Sequence, residues 1–589
     1  MKNLKRLSVL VLLVLAVFTS SCKKDVVPEN TKPNYSTDAK LDLGNLVNAK
    51  FFGVIADEMG NPISGVAIKA GNKTATTNSN GIFIIEDANV FEKLAYVSAT
   101  KAGYFMGSRS VIPSATATNN IRITMLDMNT VATVNSGEEK TVTLPGGAKI
   151  DFKGEFVDLS GNTYTGTVNI AFKHLAALAP ETANQMPGML YAQNQDEEAG
   201  VLETYGMMAV ELTSSTGVEL QIDPDSKAII HMPVDASQLA NAPATIPLWH
   251  FDEVAGYWIE EGEATLVGGE YVGDVYHFSF WNCDRFGDDA VVNGTVVDQY
   301  GTPLGNVSVS VITPFASTVG QTSSAGTFFT YVPANASITF EVLDDCGNSV
   351  SSNSAGPYAI NSTNSEPLIA TLNASNSVIV SGLFYDCNNN LITNGYITLT
   401  AGSEIYHQTI TNGVINVPVL FCNIPSNLTV QGYDYDNIQE TSSFSIPVTT
   451  PVTNLGNLIA CNAVSEYITY SISGGAAITE FPPFTTNESS FVDSATSLTT
   501  TTFSCFGGAF ELFSTSTTLG SYPWDANTGM SFYSSSINVN QQLPVNITFQ
   551  LVAYGAIGSY VDVTFSGNFT DNTGTNQTIT GTVHVLRDA

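Results

Sequence analysis

The side chains with chemical potential are six dispersed histidines, seven cysteines and a large excess of carboxylates. His250-Phe251-Asp252-Glu253 spells H-x-x-E, half of the ligand set of a zinc hydrolase. Such a site also needs a third ligand, for which His277 is the candidate, and a carboxylate acid/base. The surroundings, Trp249 before and Gly256-Tyr257-Trp258 after, read instead as an aromatic hairpin. Residues 250 and 253 have opposite parity on a strand and point to opposite faces. The expectation is a structural hairpin with no metal, no cofactor and no catalytic residue. Asp252-Glu253 and Glu260-Glu261 are candidate carboxylate pairs for glycoside hydrolysis, where the spacing that matters is spatial. H-E-x-x-H, G-x-S-x-G and the P-loop motif are absent from the sequence.

Alternating oxygen donors in Asp386-x-Asn388-x-Asn390 and Asp434-x-Asp436-Asn437 suit calcium in kind. Neither has the turn glycine and distal glutamate of an EF-hand loop, so both are expected to be solvated turns. Asp196-Glu197-Glu198 and the group Asp284, Asp288 and Asp289 are expected in solvated interdomain loops. Tyr257, Trp258, Tyr271, Tyr276 and Trp281 could stack on a sugar, although filling a core is the commoner use of such residues.

Cys22 stands apart from the other cysteines. Lys2, Lys5 and Arg6 precede an apolar run, Leu7 to Phe18, too short to span a bilayer comfortably. Thr19, Ser20 and Ser21 then lead into Cys22. This is the plan of a secretory signal. It resembles a bacterial lipoprotein signal, and Lys23-Lys24-Asp25 resembles the charged segment that follows the cysteine in Bacteroidetes lipoproteins. The resemblance implies acylation of Cys22 after removal of residues 1–21, and an outer-membrane, lipid-anchored, surface-exposed protein. Several acyl chains on one cysteine anchor stably where one is marginal. Cys283, Cys346, Cys387, Cys422, Cys461 and Cys505 form an even set without C-x-x-C spacing, which in an exported chain favours disulfides. At least two bridges are expected, one of them within residues 376–461. Asp493-Ser494-Ala495 resembles the short acceptor motif of Bacteroidetes O-glycosylation.

The elements that must carry these residues are strands. The chain has 589 residues, 43% hydrophobic and only 13% charged, which suits folded cores. Its formal charge of −33 repels phosphate backbones, so no nucleic-acid partner is expected. From Lys50 onward, short runs rich in Val, Ile, Thr, Phe and Tyr alternate with Gly, Asn, Asp and Pro turns. The pattern predicts an all-β fold of tandem antiparallel β-sandwich domains after a signal peptide and a flexible tether, residues 22–49. Lys173–Ala183 and Asp235–Asn241 are the brief helix-like stretches.

A repeat marks the domain starts. Phe52-Gly53-Val54-Ile55-Ala56-Asp57 with Gly60, Pro62 and Gly65 recurs as Asn293-Gly294-Thr295-Val296-Val297-Asp298 with Gly301, Pro303 and Gly305. A weaker third copy is Ser381-Gly382-Leu383-Phe384-Tyr385-Asp386. These copies resemble the carboxypeptidase regulatory-like domain, a transthyretin-like sandwich, over residues 50–127 and 290–373. Residues 376–461 are a divergent third copy and residues 462–589 a further β-sandwich. Residues 131–289 hold three of the four tryptophans. Together with 50–127 they resemble the extracellular regions of the FAM171 family and of cartilage intermediate layer proteins. These resemblances imply spacer or docking modules without catalysis. The resulting expectation is five modules in a row that fold independently, except that residues 131–289 are expected to need residues 50–127 as a partner, since the resemblance covers them together. They would serve as a stalk and binding surface for adhesion or envelope interaction. The alternative is glycan or peptide binding for nutrient capture, and beyond that a hydrolase. The partners expected are the membrane, through the acyl chains, and a protein or glycan ligand.

Overall fold

The computed structural model describes residues 41–587 except 315, 371–376, 403, 464–465, 476–477, 481–484, 494–497, 508–509, 526–528, 535–536, 538, 541 and 555–559. Cys22 and the glycosylation motif at Ser494-Ala495 lie outside the described residues, as does the side chain of Cys505. The fold is all-β. The strand Leu46–Ala56 pairs with Ile82–Phe91 and Thr118–Thr124 in one sheet. Ala67–Ala70, Lys73–Thr76, Ala95–Thr100 and Gly107–Val111 form the facing sheet. Phe51, Ile55, Val66, Ile68, Phe83, Val97 and Ile121 fill the space between them. Asp289–Asp298 opens a second sandwich of the same three-plus-four plan. The repeat glycine has a steric reason in both. Gly53 lies opposite Phe83 and Gly294 opposite Phe328, and a Cβ at either glycine would stand 2.0 Å from that ring.

Two expectations about strand order need correction. The sandwiches are not purely antiparallel, because the first strand of each copy pairs in parallel with its last. The third copy is one nine-stranded sheet instead of two. There Glu404–Thr411 turns directly into Val414–Leu420 through Asn412-Gly413, both at positive φ, so pairing continues around the edge. The tight two-residue turn is the cause, since that backbone twist matches two paired strands. Asn462–Ala463 pair back to Gln439–Glu440 and so extend the third body beyond residue 461. The tether also ends early. Leu46–Ala49 already pair with Ala88–Phe91, and Leu41 and Leu43 pack against a buried cluster at Leu94, Tyr191 and Tyr257. Lys173–Leu175 continue a strand, and the only helical turn near them is Thr182–Gln185.

One local device recurs at the strand reversals. Asp57, Asp158, Asp298, Asp344, Asp386 and Asp571 each accept backbone N–H bonds from residues two and four ahead, at 2.8–3.0 Å. The residue three ahead is glycine in five turns and Asn389 in the sixth, with φ between 62° and 85°. A carboxylate thus replaces the missing ladder partner while the left-handed residue makes the bend.

The bodies are not strung in a row. The first sandwich touches all the others. On its outer face Phe52, Ile82 and Ile84 bury against Tyr396, Tyr433 and Tyr435 of the third body. Asn78 bonds the Tyr396 hydroxyl, and Lys50 Nζ donates to Asn394 Oδ1 at 3.1 Å. Toward the middle body, Phe105 and Leu126 join a core with Trp249, Phe251 and Phe280. Arg109 donates to the carbonyls of Ala183 and Asn184 at 3.2 and 2.9 Å. Toward the second sandwich, Asn120 Nδ2 donates to Thr322 O at 2.7 Å. Lys73–Thr76 lies beside Ile478–Glu480 of the C-terminal body. Independent folding of modules is therefore not what this packing implies.

Two disulfides form among the described residues. Cys387–Cys461 lies within the third body, and Cys346–Cys422 joins the second body to it. Cys283, expected among bridge candidates, is a free buried thiol. It sits in the middle-body core beside Leu248 and Trp281, while the four bridged cysteines belong to other bodies.

Truncating Phe52 to Ala removes the centre of the first-to-third contact. We expect a loss of about 3–5 kcal/mol, the range for buried phenylalanines, read as a lower denaturant midpoint. A shift within the ±0.5 kcal/mol of ordinary surface changes would refute the claim that this face holds the bodies together. Non-reducing peptide mapping should recover the two bridges, with Cys283 alkylated only after denaturation. Recovery of six free thiols would contradict both assignments.

Candidate functional site

The middle body is built on a thirteen-stranded sheet that curls around two cores. Within it, Thr245–Asp252 runs between Tyr257–Val267 and Phe280–Gly287. His250 is paired on both sides, to Ile259 and to Trp281. Glu253 falls in the turn after this strand, so the H-x-x-E pair is not assembled. Asp252 holds that turn, its Oδ1 accepting the N–H of Val254 and Ala255 at 2.8 Å.

A different carboxylate reaches His250. Glu261, two residues beyond the cross-strand partner Ile259, places Oε2 3.5 Å from His250 Nε2. His277, in the loop before Phe280–Gly287, donates from Nε2 to the same oxygen at 3.1 Å. The imidazoles stand perpendicular with centroids 4.9 Å apart. Trp281 packs against both rings and donates its indole N–H to His277 O at 3.0 Å. The ladder changes register here. Three residues of Tyr257–Val267 are spent against two of Thr245–Asp252, with Gly262 in the left-handed region. Such a bulge bends a strand and re-aims its side chains.

Both imidazoles are buried, while Glu261 keeps 37% of its side-chain surface exposed. Burial, then the neighbouring His277, holds His250 down to about 3, so it is neutral at ordinary pH. Burial pushes the Glu261 carboxyl up, but the His277 hydrogen bond and the proximity of the two imidazoles outweigh it and leave it below its usual value. Glu261 was not paired with His250 by reading the chain linearly. The signal was hairpin arithmetic: a turn closing Asp252 on Tyr257 sets Ile259 opposite His250 and Glu261 diagonal to it.

The other candidates separate cleanly. Asp386 and Asp434 spend their oxygens on backbone and side-chain N–H groups of their own turns. Asp196, Glu197, Glu198 and Asp288 are exposed, as expected. Asp284 and Asp289 are not solvated. Both are buried, because Phe280–Gly287 is an interior strand and Asp289 opens the next one. Burial raises the Asp284 carboxyl well above its usual range, and the side chain bonds Asn282. Tyr257, Trp258, Tyr271 and Trp281 are core residues, which removes them as a sugar platform; Tyr276 alone of the five is exposed.

A cleft opens where the first sandwich, the middle body and the second sandwich meet. Val309, Val311, Phe328, Met186 and Leu190 give it apolar walls, and Arg109 and Arg122 line it too. Three strands contributing to it are sheet edges: Gly107–Val111, Ser317–Gln321 and Thr327–Pro333. This cleft was not foreseen, because each wall comes from a different body.

Comparison with known proteins adds little. No protein-family model matches the chain, and no curated protein matches it. Among solved structures, the shaft pilin SpaA of Lactobacillus rhamnosus GG aligns at 8% identity, over 30% of this chain and 98% of its own, with a TM-score of 0.16. The major pilin subunit of Bacillus cereus aligns at 9% identity, over 70% of this chain and 99% of its own, with a TM-score of 0.12. At such scores neither carries an argument about this chain.

His407 offers a titration test of the joint between bodies. It is buried, shares a hydrogen bond of 3.0 Å between Nδ1 and Thr398 Oγ1, and faces Tyr396 edge-on. Its carbonyl accepts from Asn306 Nδ2 of the second body at 2.8 Å. Arg122, Asp345 and Tyr406 line the same small cavity. Burial, then the Arg122 charge, holds it down to about 3, against about 6.5 in an unfolded chain. The unfolded state therefore binds the extra proton between those values, and stability present above pH 6.5 is lost as pH falls toward 3. His407→Gln should flatten the fall in melting temperature between pH 7 and 4. Parallel wild-type and variant profiles would contradict the burial of a neutral imidazole.

Proposed function

We propose that this chain is a non-enzymatic, lipid-anchored surface protein, a rigid scaffold presenting a binding surface for adhesion or envelope interaction. The observation that supports the reading most is the first sandwich, joined by apolar contacts and hydrogen bonds to the middle, second and third bodies and lying beside the C-terminal one. Inter-domain contacts within a chain usually leave domains free to move, and buried apolar seams on several sides of one module oppose that. A stiff scaffold holds its loops at fixed positions for contact. The resemblance of residues 50–127 and 290–373 to carboxypeptidase regulatory-like domains agrees with such a role, and the acylation signal at Cys22 supplies the tether.

A second reading, capture of a peptide ligand, is favoured by the cleft. Sheet edges beside apolar walls suit an extended peptide, which adds as a strand while its alternate side chains enter pockets. The glycan form of this reading loses its support with the burial of the aromatic residues.

Fractionation of cells expressing the full chain and Cys22→Ala, with protease added to intact cells, tests the main reading. The wild type should partition with membranes and be cut from outside, and the variant should be soluble. Retention of Cys22→Ala in the membrane fraction would sink the anchor. Protection from external protease would make the protein periplasmic. Turnover of peptide or glycoside substrates by the purified chain would overturn the non-enzymatic reading.

A further inference from the structure

We propose that His250, Glu261 and His277 form a site for one divalent transition-metal ion of the zinc class, tying the Thr245–Val267 hairpin to the loop before Phe280–Gly287. Two imidazole nitrogens and one carboxylate oxygen are a donor set that such ions take. All three donor atoms lie within 4.8 Å of one another. The two separations from Glu261 Oε2, 3.5 Å and 3.1 Å, bracket the roughly 3.3 Å between ligand atoms on a tetrahedral ion with bonds of about 2.0–2.1 Å.

The direction of the imidazoles distinguishes this cluster from ordinary histidine–carboxylate contacts. Here both rings aim the same nitrogen, Nε2, at one oxygen. His231 instead spreads its nitrogens to two carboxylates, Asp151 at 3.0 Å and Glu270 at 3.1 Å, and so bridges them without a common centre. His584 meets Asp562 through Nδ1. The other compact donor group among the described residues, Cys346, Glu404 and Cys422, has its sulfurs joined in a disulfide.

The support around the cluster is what a metal site requires. His250 is fixed by strand pairing on both sides. Trp281 walls both rings and its N–H holds the backbone of His277. Ligands fixed in this way lose little freedom on binding. Glu261 is the partly exposed member, so an ion enters on its side and keeps water as a fourth ligand. Each imidazole then binds through Nε2 as the Nδ1–H tautomer. Two neutral imidazoles and one carboxylate leave the complex singly positive, in a chain of formal charge −33 that attracts cations. The proposal rests on this cluster alone and is independent of the surface role above.

The test uses the full chain, stripped with chelator and dialysed against Zn²⁺ or Co²⁺. Elemental analysis should find one ion per chain, and Co²⁺ should give the visible bands of a low-coordinate N/O site. Glu261→Gln, which preserves shape, and His277→Ala should each weaken binding by roughly 100-fold or more, at least the cost of disturbing ligand support. His231→Ala should bind as the wild type does. Zinc should raise the melting temperature of the wild type and of His231→Ala, but not of Glu261→Gln. Should His277→Ala fail to fold, Glu261→Gln decides alone. Absence of stoichiometric metal at millimolar zinc overturns the proposal, as does undiminished binding by Glu261→Gln.

Discussion

Everything in this architecture depends on one strand pair that is apolar on both faces. In Leu46–Ala56 and Ile82–Phe91, Phe51, Phe83 and Ile85 point into the first sandwich, while Phe52, Ile82 and Ile84 point out of it and are equally buried. A sandwich of this size normally turns one face to water and alternates accordingly. This one does not, so its outer face must be covered by something else in the chain. The third body supplies Tyr396, Tyr433 and Tyr435 for that purpose. Once that contact is made, the second body is confined between its neighbours and the cleft follows as the space the three surfaces cannot fill.

The turns explain how so many strands coexist with so little helix among the described residues. Sheet edges and reversals leave backbone groups without ladder partners, and buried ones are expensive. An aspartate at the end of a strand satisfies two N–H groups at once and leaves the next strand free to return. The same residue type is therefore used repeatedly for structure, and an acidic chain need not be read as one rich in metal or catalytic sites. Carboxylates placed mid-strand, Glu261 and Asp284 among them, are the exceptions, where the surroundings and not the turn decide their chemistry.

The strand content, the repeat starts and the glycine at each copy were legible because they are local: periodicity, turn residues and a cross-strand aromatic leave marks within ten residues. The adjacent apolar pairs Phe51-Phe52 and Ile84-Ile85 also carried a signal, a break in alternation, but its meaning lies in a surface over 300 residues away. The histidine cluster divides the same way. Glu261 was recoverable from the hairpin turn, whereas His277 arrives from a loop whose position depends on two further strands. Asp284 and Asp289 were misplaced because charge was taken as a mark of solvent, and an interior strand can carry a carboxyl whose ionisation burial opposes.

The Cys346–Cys422 bridge has a mechanical consequence. A chain tethered at one end and pulled at the other unravels along its covalent path, and a bridge across 76 residues shortens that path. Roughly 250 Å of extended contour, at about 3.4 Å per residue, is withheld from extension. Cys387–Cys461 interleaves with it in sequence, so opening either body under load leaves the two still linked. In an oxidising medium the second and third bodies respond to tension as a pair joined by a covalent bypass, with only the chain outside the bridged loops free to extend, and in a reducing one as two separate springs.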